Sequence, residues 1–210
     1  MKEANVREVI QRLRQEYPNS KTSLDFNNPF QLLVGTILSA QTTDKAVNKA
    51  TPDLFKAFPD VFSLSRASKE EVVPYIKSIG LYNNKAKNLV AMAKMIVSEY
   101  GGEVPSTMKE LTSLPGVGRK TANVVMGNAF GIPDSGITVD THMIRITNLL
   151  GWAKGKNPVK IEKELMKIIP VEDWVDITHL IIDHGRAVCK ANRPLCGKCV
   201  LADLCPSSLE

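Results

Sequence analysis

The sequence has no cysteine in its first 188 residues, no low-complexity tract and no run of about 18 consecutive apolar residues. Its best apolar stretch, Phe30 to Ala40, is too short to span a bilayer, and the first ten residues lack the apolar core of a signal peptide. The chain therefore predicts neither a membrane span nor a secretory signal. We expect a soluble, cytoplasmic protein that contacts no membrane.

Strand patterns and internal repeats are also missing, since no segment alternates apolar and polar residues between turn signals. Apolar residues instead recur every three or four positions, as in Val6, Val9, Ile10 and Leu13. This periodicity predicts an all-α fold. Helices are predicted at residues 6–17, 29–40, 45–58, 88–100, 119–130, 142–150, 159–169 and 174–189, and also after Ser68 and Thr107, which begin S/T-x-x-E capping boxes.

Length and charge leave the function open. The chain has 210 residues, 43% of them hydrophobic, which is enough for one large core or two smaller ones. Its 27 Lys and Arg against 22 Asp and Glu give a net charge of +5, which permits a polyanionic partner without requiring one. The loop at 131–136 is the predicted boundary between two lobes.

Four cysteines lie close together near the end of the sequence, as Cys189-x6-Cys196-x2-Cys199-x5-Cys205. Disulfides would spread across a fold, whereas four thiols within 17 residues suit one metal centre. Both Zn²⁺ and an iron–sulfur cluster take four thiolates. Zinc ribbons supply two C-x2-C pairs and this sequence has one, so the spacing favours iron–sulfur while leaving zinc open.

The segment LPGVG at 114–118 is a candidate anion site between two predicted helices. Two glycines around one apolar residue allow a tight hairpin with converging N–H groups, and the next helix adds its positive dipole end. An ordinary helix–helix turn is the alternative, and Arg119 stands where a Walker A loop needs glycine. Further basic residues lie between the cysteines, at Lys190, Arg193 and Lys198.

Two residues after the hairpin are candidates for chemistry. Lys120 lies in the first turn of a predicted helix, where the dipole and Arg119 both disfavour a cation, so a neutral, nucleophilic amine is favoured. A solvated lysine is the alternative. Asp140 precedes a helix and is most simply an N-cap, although a carboxylate there could also assist proton transfer or stabilise positive charge.

Together these segments resemble endonuclease III of the helix-hairpin-helix DNA glycosylase superfamily. The resemblance rests on LPGVGRKTANVV at 114–125, VDTHMIRI at 139–146 and the cysteine pattern, with support from SAQTTD at 39–44, IGLYN at 79–83 and LIIDHGR at 180–186. It covers nearly the whole chain. The segment GIPDSGITVD at 131–140 is about two residues longer than the family pattern, and we expect the extra residues to bulge outward.

The resemblance implies two helical lobes flanking a DNA-binding cleft. Residues 22–134 would form a six-helix barrel lobe with the hairpin, and residues 1–21 with 135–210 would form the second lobe. The second lobe would carry a [4Fe–4S] cluster on the loop 189–205. The cluster ligands would be Cys189, Cys196, Cys199 and Cys205.

The resemblance also implies roles for single residues. Lys120 would be the Schiff-base nucleophile and Asp140 its carboxylate partner. Gln41 and Leu81 would enter the duplex and fill the gap left by a flipped nucleotide. The remaining DNA-binding residues would be Asp44, Gly116, Val117, Gly118, Arg119, Lys190 and Arg193.

These roles imply a bifunctional DNA glycosylase and AP lyase. A monomer is the default expectation, and we expect it to be associated with the nucleoid. Its partner would be double-stranded DNA with damaged pyrimidines or abasic sites. Because mismatch-specific relatives lack the hairpin lysine, Lys120 favours oxidised or ring-saturated pyrimidines of the thymine glycol type, with pyrimidine dimers as an alternative. Two other classes are a non-catalytic DNA-binding module, which would not need Lys120 with Asp140, and an electron carrier, which would not need the hairpin.

Overall fold

The structure, a computed structural model, describes residues 5–209, so residues 1–4 and 210 of the predicted second lobe lie outside the described part. Residues 5–209 contain helices and loops and no strand, which confirms the all-α prediction. No helix in this range is long and apolar enough to cross a membrane. The helices are α1 (Val6–Glu16), α2 (Pro29–Leu38), α3 (Asp44–Ala57), α4 (Val61–Arg66), α5 (Lys69–Ile76), α6 (Tyr82–Tyr100), α7 (Met108–Ser113), α8 (Arg119–Phe130), α9 (Thr141–Leu149), α10 (Pro158–Ile168) and α11 (Trp174–Ala187), with 3₁₀ turns at Val171–Asp173 and Cys196–Lys198.

Short polar side chains begin most of these helices. The Ser68 hydroxyl accepts a hydrogen bond from the Glu71 N–H, and the Glu71 carboxylate accepts one from the Ser68 N–H, which completes the predicted capping box of α5. At α7 the Thr107 hydroxyl likewise accepts from the Glu110 N–H. The Glu110 carboxylate, however, bonds the Thr107 hydroxyl instead of its N–H, so this box is only half formed.

The start of α6 differs from the prediction by six residues. The helix begins at Tyr82 rather than Asn88. Its N-cap residue, Leu81, has a left-handed backbone (φ 59°) and makes no side-chain capping bond, so no polar residue marks this start in the sequence. The helix ends as predicted, with Gly101 in the left-handed conformation (φ 61°). The short helix α4 was also not predicted.

The described chain divides into two compact units, each with its own apolar core. The hairpin unit, Ser23–Ile132, contains α2 to α8. Its core includes fully buried side chains from α2, α5 and α6, such as Leu33, Ile76 and Leu89. Burying each such side chain contributes about 1.5–3 kcal/mol to folding, so this core fixes the helices that carry the hairpin.

The cysteine unit comprises the described parts of Met1–Thr22 and Pro133–Glu210, with α1 and α9 to α11. Its first helix is joined to its last loop by Arg12. The Arg12 guanidinium forms a two-pronged ion pair with Asp203, at 2.6 and 3.0 Å, and donates to the Val200 carbonyl at 3.0 Å. Arg12 also holds the pKa of the Asp203 carboxyl below its usual range. The cysteine-bearing loop is thereby attached to α1.

Candidate functional site

A tight turn connects α7 to α8 in the hairpin unit. Pro115 and Gly116 are its central residues, and the Val117 N–H closes it by donating to the Leu114 carbonyl at 3.1 Å. Gly116 has φ +79°, and a Cβ built on it would lie 3.0 Å from the Asn88 side chain. The positive φ therefore favours glycine at this position, and any larger residue would also have to displace the Asn88 side chain.

Gly118, two residues later, is not required in the same way. It is the N-cap of α8, with φ −99°, and nothing lies within 4 Å of a Cβ built there. As glycine it has no side chain to cap the first turn of α8. The space beside Gly118 at the start of α8 is therefore open, and a helix N-terminus with open space beside it is an arrangement that can bind an anion.

The predicted nucleophile lies beside this space. Lys120 is the second residue of α8 and its side chain is exposed, as is that of Arg119. The Val117 side chain is buried in the core of the hairpin unit, so it holds the turn against that core. The structure therefore brings the predicted phosphate-binding segment and the predicted nucleophile together at one helix end.

Gln41 and Leu81, the residues expected to enter the duplex, share an unusual backbone. They are the non-glycine residues with positive φ in the described chain, at 55° and 59°. This conformation is strained for residues with a side chain and clusters at functional sites. Both side chains are exposed, Leu81 to 57%. Asp44 is the first residue of α3, which follows the loop that carries Gln41.

Asp140 is the N-cap of α9, as its position in the sequence indicated. Its Oδ1 accepts a hydrogen bond from the Met143 N–H at 2.8 Å, which fixes the half-buried carboxylate. In the preceding loop Pro133 and Asp134 form an exposed turn, whereas the following residues up to Val139 are buried. Lys120 belongs to the hairpin unit and Asp140 to the cysteine unit.

All four cysteines line one cavity of about 270 Å³ in the cysteine unit. They are half-buried free thiols: Cys189 follows α11, Cys196 and Cys199 flank a 3₁₀ turn, and Cys205 lies in the last loop. Within residues 5–209, no group of three or more His, Cys, Asp or Glu side chains is arranged to hold a metal ion.

The thiols affect one another electrostatically. Burial raises the pKa of Cys189, Cys199 and Cys205, and neighbouring cysteines raise it further. Four thiolates could face the same cavity only with a positive centre among them. Four thiols lining one cavity provide the donor set of a thiolate-bound metal group.

Three further residues order the cysteine loop, and the sequence patterns did not single them out as site residues. Buried His184 lies with Nε2 3.5 Å from the Cys199 Sγ, and its Nδ1 lies 3.1 Å from the Tyr17 hydroxyl. Burial lowers the pKa of His184 to about 4. Arg145 donates to the Cys189 carbonyl at 2.6 Å. His184 precedes Cys189 by five residues, a spacing too common to be diagnostic.

Lys190 and Arg193 lie between the first two cysteines, and both side chains are exposed. The ion pairs found among residues 5–209 include neither of them. Their charges are therefore available to an anionic partner.

Comparison with known proteins identifies the family. Residues 34–171 match the model of the HhH-GPD superfamily of base excision DNA repair proteins. Endonuclease III of Synechocystis sp. is 51% identical over 207 residues, which cover 99% of this chain and 94% of that protein. The chain belongs to the endonuclease III family. Endonuclease III of Escherichia coli is 45% identical over 205 residues, covering 98% of this chain and 96% of that protein.

Solved endonuclease III structures have the same fold. A non-covalent endonuclease III–DNA complex matches with a TM-score of 0.89 and 43% identity, covering 96% of this chain and 94% of that one. A trapped endonuclease III–DNA covalent intermediate matches with the same values. The family predicted from the sequence segments is therefore confirmed.

The two hairpin glycines should respond differently to substitution. Gly118→Ser should keep the free energy of unfolding or raise it by about a few tenths of a kcal/mol, because serine is a better N-cap and the space is open. Gly116→Ala should lower it by about 1–3 kcal/mol through backbone strain and contact with Asn88. Denaturant unfolding of both variants measures this difference.

Gly118→Ser should nevertheless weaken binding to duplex DNA, since its hydroxyl would occupy the first-turn N–H groups that an anion needs. Fluorescence anisotropy on a duplex measures the affinity. Unchanged affinity in the folded Gly118→Ser variant would contradict an anion site at this helix end.

Proposed function

We propose that this chain is a base-excision DNA glycosylase with AP-lyase activity that acts on oxidised or ring-saturated pyrimidines, of the thymine glycol type, and on abasic sites in double-stranded DNA. The enzyme class is that of the endonuclease III family, to which the chain belongs. The observation that carries the proposal is the open N-terminus of α8 beside Gly118, with Lys120 in the same helical turn.

The hairpin would bind the DNA backbone. The N–H groups of Gly116 and Gly118 and the start of α8 provide donors and a positive dipole end for one phosphate, and Arg119 adds a charge. The Val117 N–H instead closes the turn at the Leu114 carbonyl. Because Gly118 leaves its outer side open, a phosphate can approach the backbone closely. This interaction would hold the DNA in register without reading its sequence.

Gln41 and Leu81 would stabilise the extruded nucleotide. A damaged base within a duplex is out of reach, so its nucleotide must leave the stack, at a cost of about a few kcal/mol. An exposed apolar side chain such as Leu81 can act as a wedge, and the Gln41 amide can replace the hydrogen bonds of the departed base. Asp44, three residues after Gln41 at the start of α3, would also bind the DNA.

The chemistry would proceed at the sugar. The neutral amine of Lys120 attacks C1′, and the bond to the damaged base breaks as the base leaves with its electron pair. Asp140 takes the amine proton or stabilises positive charge on the sugar. Its Oδ1 is held by the Met143 N–H, so we assign this role to Oδ2.

Loss of the ring oxygen from C1′ leaves an iminium between Lys120 and the opened sugar. The iminium makes the C2′ proton acidic, and its removal expels the 3′ phosphate by β-elimination. Hydrolysis of the imine then releases the enzyme. An amine nucleophile thus joins base removal to strand cleavage on the 3′ side.

A [4Fe–4S] cluster would be held by Cys189, Cys196, Cys199 and Cys205, whose thiols line one cavity. When bound it supplies structural order to the loop 189–205. That order would present Lys190 and Arg193 to DNA phosphates. Because one chain carries every residue in this proposal, we propose a monomer that acts in the cytoplasm, at the nucleoid.

Substitution of Lys120 should stop strand cleavage without preventing DNA binding. Lys120→Gln should abolish nicking of a thymine glycol duplex and leave duplex affinity within about threefold, because the hairpin amides hold the phosphate independently of the amine. Nicking on a denaturing gel and anisotropy measure the two effects. The matched control is Lys109→Gln, an exposed lysine on α7. Nicking at the wild-type rate by Lys120→Gln would contradict the mechanism.

Loss of a cluster ligand and loss of the basic side chains should have different effects. Cys199→Ser should lose iron and folded yield. Lys190→Ala with Arg193→Ala should keep the wild-type iron and sulfide content, while the log–log salt slope of DNA binding becomes less steep by about 0.9 for each phosphate that the protein no longer neutralises. An unchanged slope, or wild-type iron in Cys199→Ser, would contradict the respective assignment.

A further inference from the structure

Lys85 is a buried cation in the first turn of α6. It is 5% exposed, whereas Lys87, two residues along the same helix, is exposed. Its Nζ donates to the Leu38 carbonyl at 2.8 Å, the Ala40 carbonyl at 2.7 Å and the Thr42 hydroxyl at 3.1 Å. These three bonds use all the donors of an ammonium group, which compensates its removal from water.

The three acceptors surround the loop that carries Gln41. Leu38 ends α2, and Ala40 and Thr42 are the residues on either side of Gln41. The backbone N–H of Lys85 in turn donates to the Leu81 carbonyl at 3.1 Å. One residue is thus bonded to both segments whose side chains are proposed to enter the duplex.

The two segments also lie against each other. A Cβ built on Gly80 would be 3.7 Å from both the Gln41 carbonyl and the Thr42 hydroxyl. Gln41 and Leu81 both have the left-handed backbone, a conformation that persists only where neighbouring groups enforce it. The amine of Lys85 supplies such hydrogen bonds on both sides of Gln41.

We propose that Lys85 is a positioning residue that holds the Gln41 loop against the Leu81 turn, so that both side chains enter the duplex as one preformed unit. The proposal rests on the proposed gap-filling role of these two residues. Lys85 contacts no DNA, because its amine is buried and its donors are used within the protein. Its contribution is preorganisation, which lowers the cost of ordering two strained loops during nucleotide extrusion.

A simpler interpretation is that Lys85 only caps the last carbonyls of α2. That role would affect stability alone, so the active fraction would fall equally for every substrate. Preorganisation matters only where the nucleotide must be extruded from a paired stack. The two interpretations therefore differ in the ratio of rates on two substrates, which does not depend on how much enzyme is folded.

The experiment compares excision of thymine glycol from a fully paired duplex and from a duplex in which the lesion lies in an unpaired bubble. Extrusion is cheaper from the bubble. Lys85→Met should lower the duplex-to-bubble ratio of single-turnover rates by about tenfold or more, given the rate sensitivity to small misplacements. Lys87→Met, the control on the same helix, should keep the wild-type ratio.

Thr42→Val provides a milder variant in case Lys85→Met does not fold. It removes one acceptor of the Lys85 amine and should lower the ratio in the same direction by a smaller factor. In a Gln41→Ala background, Lys85→Met should lower the duplex-to-bubble ratio by a smaller factor than it does in the wild type, because the Gln41 side chain that Lys85 positions is already missing. The salt slope of DNA binding should stay that of the wild type.

Equal losses on both substrates, or an unchanged ratio in Lys85→Met and Thr42→Val, would overturn the proposal. A shallower salt slope in Lys85→Met would also overturn it, by indicating that Lys85 itself binds a phosphate. Failure of the proposed function has a different signature: the wild-type enzyme would then excise thymine glycol from neither substrate.

Discussion

The tight turn at Pro115 and Gly116 is the constraint on which the candidate site depends. It ends α7, starts α8 and places Lys120 in the first turn of the second helix. The positive φ of Gly116 and its close packing against Asn88 disfavour a side chain there, whereas Gly118 faces open space. The fold therefore accounts for glycine at position 116, whereas the close approach of an anion would account for glycine at position 118. This difference is the reason for proposing an anion site beside the proposed nucleophile, Lys120.

In the cysteine unit, a loop with little regular secondary structure is ordered by contacts of its side chains. Four half-buried thiols line one cavity, and burial together with neighbouring cysteines raises the pKa of Cys189, Cys199 and Cys205, so their thiolates would need a positive centre. Further order comes from the ion pair between Arg12 and Asp203 and from the contact between His184 and Cys199. A loop fixed in this way can hold Lys190 and Arg193 in place without burying them.

Much of the fold follows from the sequence because periodicity and capping are local properties. Seven of the predicted helices have both ends within two residues of their observed bounds, and the Ser68 capping box forms as expected. The start of α6 was missed because Leu81 takes a left-handed backbone in place of a polar cap. A left-handed N-cap residue without a capping side chain leaves no local pattern by which the sequence could predict it.

The residues of the candidate site likewise include some that the sequence predicts and others that only the structure reveals. The hairpin and the cysteine spacing are visible as motifs, and the N-cap position of Asp140 follows from its place before a helix. Lys85 and His184 are invisible as site residues because a lysine or a histidine in a helix is ordinarily a surface or core residue. Only the three-dimensional hydrogen bonds separate Lys85 from its exposed neighbour Lys87.

A Schiff base between Lys120 and the sugar of a damaged nucleotide is the step that defines the proposed enzyme. The most direct measurement is borohydride reduction of the enzyme on a thymine glycol duplex and on an abasic duplex, followed by peptide mass mapping of the adduct. We expect a covalent adduct on both duplexes, located at Lys120. No adduct, or an adduct on another amine, would contradict the Schiff base, and an adduct on the abasic duplex alone would contradict the assigned base specificity while keeping the Lys120 chemistry.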